Sequence, residues 1–165
     1  MVAGGTGGAN TKTGAIFELK TDLKTALKKA GYDLSKFQFC STARTQEFKR
    51  FMLKNGFDLE KNFGQYFMPD EAVIYNNHLY VIEKKTQGTR GSVDEKIATG
   101  PYKKLIYNIC AKALGLNGAT YIFLLDRWFD KPKFTKHKIP YNLQHGIPVY
   151  FEEVPLKTLF GEVSN

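Results

Sequence analysis

Apolar positions in the first third of the chain recur at the spacing of α-helices. Residues 14–30 carry an apolar stripe at three-to-four spacing, made up of Ile16, Leu19, Leu23 and Leu27. This stripe predicts one amphipathic helix that ends at Gly31. A second, shorter helix is predicted over residues 45–54 and a helical turn over residues 58–63. The first third is therefore expected to be helical.

The hydrophobic pattern then changes from the helical period to the alternation of β-strands. Residues 70–75 and 78–86 are strand-like, and Asn76-Asn77 lies between them. Because asparagine tolerates left-handed backbone angles, this pair suits a two-residue hairpin turn. The middle of the chain is therefore predicted to be an antiparallel hairpin.

The second half of the chain returns to helical spacing before further strands. Residues 92–114 predict a long helix that Gly100-Pro101 kinks or splits in two. The remaining expected elements are a buried strand, a basic aromatic loop, a short strand and a terminal helix, at residues 119–125, 126–146, 147–151 and 155–160. This order predicts an α/β sandwich around a central mixed sheet of four to five strands.

Length and charge narrow the class of protein. The 165 residues suit one domain, residues 1–165, with a glycine-rich arm over residues 1–13. Lys and Arg number 24 against 16 Asp and Glu, so the formal net charge is +8. A small domain this basic favours a polyanionic partner such as nucleic acid.

Membrane and secreted proteins are disfavoured by the sequence. No apolar run approaches the roughly 18 residues of a membrane span, and the first residues lack the pattern of a secretory signal. The two cysteines, Cys40 and Cys110, are expected to be buried and reduced. We therefore expect a cytoplasmic protein that does not bind membranes.

The predicted hairpin brings two acids and a lysine to one edge. If Asn76-Asn77 form the turn, Asp70 faces Glu83 at the open end, and Lys85 leaves from the same face as Glu83. Like charges directly opposite each other destabilise a strand pair. A shared proton, the ammonium of Lys85 or a divalent cation would each offset that repulsion.

The cation gives this cluster a chemical use. Mg²⁺ takes few protein oxygens and keeps waters and substrate phosphate, so two carboxylates beside solvent suit it. A neighbouring lysine can orient or help activate the attacking water, while the metal stabilises charge on the phosphate. Asp70, Glu83 and Lys85 together therefore predict phosphodiester hydrolysis.

These residues resemble a known family. Pro69-Asp70, a spacer of twelve residues and Glu83-Lys84-Lys85 look like the signature of the PD-(D/E)XK nucleases. That superfamily includes type II restriction endonucleases, Holliday junction resolvases and repair nucleases. The predicted topology is similar over residues 14–125, and residues 87–97 and the run ending at Glu18 resemble segments of restriction-type members.

The resemblance implies a restriction endonuclease-like αβα sandwich and a role for each matching residue. Asp70 and Glu83 would bind Mg²⁺, with Mn²⁺ as a substitute, and the carbonyl of Lys84 often adds a ligand in the family. Lys85 would be the catalytic lysine. Glu18 matches an acid that completes the site through metal or water, and a side chain that simply faces water is the alternative for this residue.

Candidate DNA contacts flank the cluster. Gln87, which extends the motif to Glu-x-Lys-x-Gln, and Arg90 lie close to it in sequence, and Lys103 and Lys104 follow the Gly100-Pro101 kink. Basic and aromatic residues also alternate in the loop 126–146, either for nucleic-acid contact or as a solvated loop anchored by its rings.

The leading prediction is a Mg²⁺-dependent DNA endonuclease that hydrolyses phosphodiester bonds in double-stranded DNA. It would be a type II restriction endonuclease or the cleavage subunit of a heteromeric one. Since one active site cuts one strand, duplex cleavage suggests a homodimer or two successive nicks. A larger recognition subunit is the expected partner if the chain is only a cleavage subunit. The alternatives are a structure-selective nuclease, such as a Holliday junction resolvase or mismatch nickase, and a non-catalytic basic nucleic-acid-binding protein.

Overall fold

A computed structural model of the chain describes residues 12–42, 47–87, 93–131 and 136–163. Most of the predicted glycine-rich arm, residues 1–11, lies outside the described residues. The strands are β1 (Gln38–Ser41), β2 (Glu71–Tyr75), β3 (His78–Lys85), β4 (Ala119–Leu125) and β5 (Val149–Phe151). The α-helices are α1 (Lys12–Lys20), α2 (Leu23–Lys29), α3 (Glu47–Lys54), α4 (Leu59–Phe63), α5 (Val93–Lys96), α6 (Gly100–Ala113), α7 (Lys138–Gln144) and α8 (Leu156–Phe160).

The five strands form one mixed sheet in the order β1-β2-β3-β4-β5. Strands β1 to β3 pair antiparallel, whereas β3, β4 and β5 run parallel. The α/β class and the mixed sheet expected from the sequence are confirmed. β1 is not predicted by the hydrophobic pattern, because a four-residue strand at a sheet edge is too short to show a period.

The hairpin of β2 and β3 turns at the two predicted asparagines. Asn76 and Asn77 have φ angles of 48° and 58°. A type I′ hairpin turn requires such left-handed values at both of its central residues. The register runs from Tyr75 opposite His78 to Glu71 opposite Ile82, as predicted. The start of β2 therefore lies beside the end of β3.

Helices cover both faces of the sheet. Val81 and Phe123 belong to a core formed with α3, α4 and α6. Ile82 and Leu124, their strand neighbours, belong to a second core formed with α1, α2 and α8. Successive residues of β3 and β4 thus alternate between two apolar cores, an arrangement compatible with an αβα sandwich.

The prediction of one helix over residues 14–30 is wrong, because the segment forms two helices. α1 ends at Lys20 and α2 begins at Leu23. Asp22 starts the second helix by accepting a hydrogen bond from the backbone N–H of Thr25 at 2.8 Å. A good N-cap in mid-segment favours a new helix start over continuation.

The break changes which side chains of α1 are buried. Phe17 lies in the core, whereas Ile16 and Leu19 of the predicted stripe are 65% and 56% exposed. Leu23 and Leu27 of α2 are buried as predicted. The predicted stripe is therefore confirmed for Leu23 and Leu27 of α2 and wrong for Ile16 and Leu19 of α1.

The prediction of a continuous loop over residues 126–146 is also wrong. The segment contains a 3₁₀ turn at Arg127–Asp130 and helix α7, with residues 132–135 outside the described residues. Pro140 lies in the first turn of α7, where a missing backbone N–H breaks no helical hydrogen bond. A helix is therefore compatible with Pro140, although the sequence predicts a loop here.

The expectations about membrane spans and cysteine thiols can be compared with the structure over the described residues. Among them, no helix has both the length and the apolar character needed to cross a bilayer. Cys40 and Cys110 are buried free thiols, as predicted, and burial raises the pKa of each to about 12. Neither thiol is therefore suited to act as a nucleophile at neutral pH.

Gly100 begins α6 after a 3₁₀ turn at Ile97–Thr99, so the predicted split at this point is confirmed. A Cβ atom here would overlap Oδ1 of Asn142 and lie 2.9 Å from the ring of Phe123. Asn142 is fully buried, and its amide donates to the carbonyls of Ile97 and Lys138 at 2.9 and 2.7 Å. The neighbouring side chains therefore have little room to move.

Gly100→Ala is expected to lower the free energy of unfolding by about 3 kcal/mol, because it overpacks this contact. Urea unfolding measures the change. Lys112→Ala, an exposed substitution on the same helix, is the control and should stay within about 0.5 kcal/mol of wild type. A Gly100→Ala protein as stable as that control would contradict the close approach.

Candidate active site

The predicted acids and lysine lie at one edge of the sheet. Asp70 immediately precedes β2, and Glu83 and Lys85 lie in the last residues of β3. Because β2 runs antiparallel to β3, its start lies at the edge where the parallel strands β3 and β4 end. The carboxyl ends of parallel strands are the usual place for ligands in α/β proteins.

Lys85 connects the two acids. Its Nζ lies 2.6 Å from Oε1 of Glu83 and 3.8 Å from Oδ2 of Asp70. It also donates a hydrogen bond to the carbonyl of Lys84 at 3.1 Å, and the backbone N–H of Lys84 donates to Oδ2 of Asp70 at 2.6 Å. The structure thus brings together the three side chains that the hairpin register places on one face.

Lys103 of α6 also enters this cluster. Its Nζ donates to Oε1 of Glu83 at 2.7 Å, although the sequence suggested only a DNA contact. Helical spacing could have predicted this contact. Lys103 lies one turn before Tyr107 and two turns before Cys110, and both of these residues are buried. A lysine on the buried face of a helix needs an acidic partner, and Glu83 supplies it.

Burial and neighbouring charges move the pKa values of the two acids in opposite directions. Burial raises the pKa of Asp70, against the opposing effect of Lys85, and the Glu83 carboxylate adds to the rise. Burial alone would raise the pKa of Glu83 too, but the ammonium groups of Lys85 and Lys103 outweigh it and lower that pKa. Glu83 is therefore the more firmly ionised acid.

The ammonium of Lys85 is stabilised by the same contacts. Burial by itself lowers the pKa of Lys85, but the carboxylates of Glu83 and Asp70 outweigh this effect and raise it. Lys85 is therefore a cation in this arrangement, able to donate hydrogen bonds but not to accept a proton.

Glu18 of α1 lies within electrostatic range of the two acids and the lysine. Its charge contributes to raising the pKa of both Asp70 and Lys85. In the part of the chain that the structure describes, no three His, Cys, Asp or Glu residues lie together as a metal-binding group. The role expected for Glu18 in completing the site stays a prediction.

A buried ion pair on the opposite face holds α1 and α2 against the sheet. Nζ of Lys84 lies 3.1 Å from Oε2 of Glu71, with side chains only 2% and 4% exposed. Lys84 also donates to the carbonyls of Thr21 and Glu18 at 3.0 and 3.4 Å, and Glu71 accepts from the N–H of Leu23 at 3.0 Å. The pair thereby binds the end of α1 and the start of α2.

The other residues predicted to contact DNA are Gln87, Lys104 and Arg90, and each has a different environment. Gln87 is buried, at 9% exposure, and its backbone N–H donates to Asp126 at 3.1 Å. The Nζ of Lys104 donates to two carbonyls at the end of α7, at 2.8 and 3.1 Å, and so stabilises that helix end. Arg90 lies outside the described residues.

The donor atoms of the cluster fit a divalent cation. Within the described ranges, Oε2 of Glu83 is buried without a hydrogen-bond partner, which is costly for a carboxylate oxygen. A cation bound to this oxygen would remove that cost. The carboxylate of Asp70 lies beside Glu83, and both side chains offer the hard oxygen ligands that Mg²⁺ prefers.

Comparisons with known proteins give no relative: no protein-family model matches the chain, and no curated protein or solved structure matches it significantly.

Proposed function

We propose that the chain is a Mg²⁺-dependent DNA endonuclease with a restriction endonuclease-like fold and a PD-(D/E)XK site. The observation that carries this proposal is the position of Asp70, Glu83 and Lys85 at the carboxyl edge of a mixed sheet, with Lys85 between the acids. The order of strands and the helices on both faces support it.

Each residue has a role that follows from its chemistry. Asp70 and Glu83 would hold the cation, and the backbone carbonyl of Lys84, which accepts a hydrogen bond from Lys85, would offer a third oxygen. When bound there, Mg²⁺ supplies a Lewis acid for the phosphate oxygens. The N–H of Lys84 holds the Asp70 carboxylate in place through its 2.6 Å hydrogen bond, so the ligand is pre-organised.

Lys85 provides the fixed positive charge of the site. Its ammonium donates hydrogen bonds that orient a water toward the phosphorus and stabilise negative charge as it develops on the phosphate. Tyr107 and Tyr121, buried and stacked with 5.6 Å between their ring centroids, lie within electrostatic range of Glu83 and Asp70, so the cluster borders the core. Electrostatic interactions are stronger where water is excluded.

DNA is the substrate that the charge of the chain favours. The net charge of +8 attracts a polyanion, and two acids beside the partly exposed Lys85 and Lys103 suit a phosphodiester. A single site of this kind cuts one strand. Cleavage of a duplex then takes place in a homodimer or through two successive nicks, and a larger recognition subunit is the partner if the chain is the cleavage subunit of a restriction enzyme.

Asp70→Asn tests the proposal directly. The wild type should nick and linearise supercoiled plasmid in Mg²⁺ or Mn²⁺ but not in EDTA, and Asp70→Asn should be slower by at least about 10²-fold. The fold should survive, because the asparagine oxygen still accepts the N–H of Lys84. Plasmid topology on agarose gels and urea unfolding measure the two effects.

Lys112→Met, which removes an exposed lysine at the end of α6, is the matched control and should cut like wild type. Folded wild-type protein that binds DNA but cuts neither DNA nor RNA with any divalent metal would instead support the non-catalytic alternative. Discrete fragments from phage DNA identify a restriction-type enzyme, whereas selective cleavage of synthetic four-way junctions or mismatched duplexes identifies a structure-selective nuclease.

A further inference from the structure

Two ammonium groups share a single oxygen atom in the cluster. Lys85 and Lys103 lie 2.6 and 2.7 Å from the same Oε1 of Glu83, while Oε2 of that carboxylate has no partner among the described residues. Two carboxylates, Asp70 and Glu83, are thus balanced by two ammonium groups. Glu18 of α1 adds a further negative charge within electrostatic range of Asp70 and Lys85.

The two lysines are not equivalent. Lys85 belongs to β3 and is held additionally by the carbonyl of Lys84 and by Asp70. Lys103 reaches the cluster from α6, and Glu83 is the partner that the structure describes for it. Its side chain is 24% exposed, so it has a path to solvent without any movement of the helix.

A divalent cation bound to Asp70 and Glu83 would add two positive charges beside the two ammonium groups already there. The lysine with fewer contacts and more exposure is the one that this added charge repels. A displaced ammonium on a flexible four-carbon chain remains within reach of the same edge, where the DNA phosphates carry the compensating negative charge.

We propose that Lys103 is an internal counter-ion that occupies Glu83 in the metal-free protein and contacts a substrate phosphate once a cation has displaced it. This inference rests on the proposed function, since it requires a cation at Asp70 and Glu83. In this proposal, Lys103 first competes with the cation for Glu83 and, after the cation has bound, contacts the DNA. The lysine thereby balances the charge of the Glu83 carboxylate when neither ligand is present.

The first test is calorimetric titration with Mn²⁺ alone. Lys103→Met should bind Mn²⁺ about tenfold more tightly than wild type, because a competing positive charge has been removed from the ligand carboxylate. Lys103→Arg keeps the charge and should bind like wild type. Lys112→Met should also be unchanged.

The second test follows DNA binding in Ca²⁺, with a fluorescent duplex and fluorescence anisotropy at several salt concentrations. Lys103→Met should lower the slope of log affinity against log salt by about one, as expected for one lost phosphate contact. Lys103→Arg should retain the slope.

The outcomes separate the two proposals. If wild type binds Mn²⁺ and Lys103→Met binds it no more tightly, or keeps the wild-type salt slope, the role of Lys103 is overturned while the nuclease proposal stands. If neither protein binds Mn²⁺ and Asp70→Asn behaves the same, the metal site itself is wrong. Tighter Mn²⁺ binding together with a reduced slope supports the inference.

Discussion

Lys85→Met is expected to lower the rate of DNA cleavage by about 10²–10⁴-fold, the range typical for loss of a group that acts directly on the reacting atoms. The substitution preserves the length of the side chain and removes only the ammonium that lies between Asp70 and Glu83. Glu83 keeps Lys103 as a partner at 2.7 Å, so the fold should remain intact.

Single-turnover nicking of supercoiled plasmid with excess protein measures this effect without interference from product release. Lys112→Met is the matched control, because it removes the same charge from an exposed position of α6. Equal nicking rates for Lys85→Met and Lys112→Met would show that the ammonium beside the two acids has no part in catalysis, and the assignment of the site would then fail.

Lys84→Met is expected to lower the free energy of unfolding by about 3–5 kcal/mol, the cost of leaving a buried charge unpaired. Glu71 would lose its ammonium partner at 3.1 Å, and the carbonyls of Thr21 and Glu18 would lose their donor. Burial already raises the pKa of Glu71 to about 7 against the opposing effect of Lys84, and loss of Lys84 raises it further. The full loss is therefore expected above pH 7, where the carboxylate is ionised in the wild type, and a smaller loss is expected at lower pH, where the carboxyl is protonated in both proteins.

The double variant Glu71→Leu/Lys84→Met should recover most of that loss, since replacing both buried charges by apolar side chains is often neutral or stabilising. Urea unfolding of the wild type, both single variants and the double variant gives the coupling energy between the two residues. Additive losses, with the double variant least stable, would show that the two side chains do not act as a pair.

The central hairpin could be predicted from the sequence because it depends on local chemistry. Alternating side chains give two strands, and two asparagines that accept left-handed angles give the turn. The position of the turn fixes the register of a hairpin. Counting residues from Asn76-Asn77 therefore places Asp70, Glu83 and Lys85 at one edge. The buried strand β4 and the split at Gly100 are equally local features.

The helical segments show where local pattern is insufficient. Ile16 and Leu19 fit an apolar stripe as well as Leu23 and Leu27 do, yet they are exposed. The cap at Asp22 ends the periodicity, and a stripe does not reveal the orientation of each helix against the sheet. β1 and α7 were missed because one is short and the other contains a proline.

The α/β class, the hairpin and the meeting of two acids with a lysine are all predictable, because each depends on residues close along the chain. The pairing of Lys103 with Glu83, the attachment of α1 and α2 by Lys84 and Glu71, and the binding of Lys104 to a helix end become visible in the folded protein alone. These contacts join residues far apart in sequence, and their partners are selected by packing of helices on a sheet rather than by any local pattern.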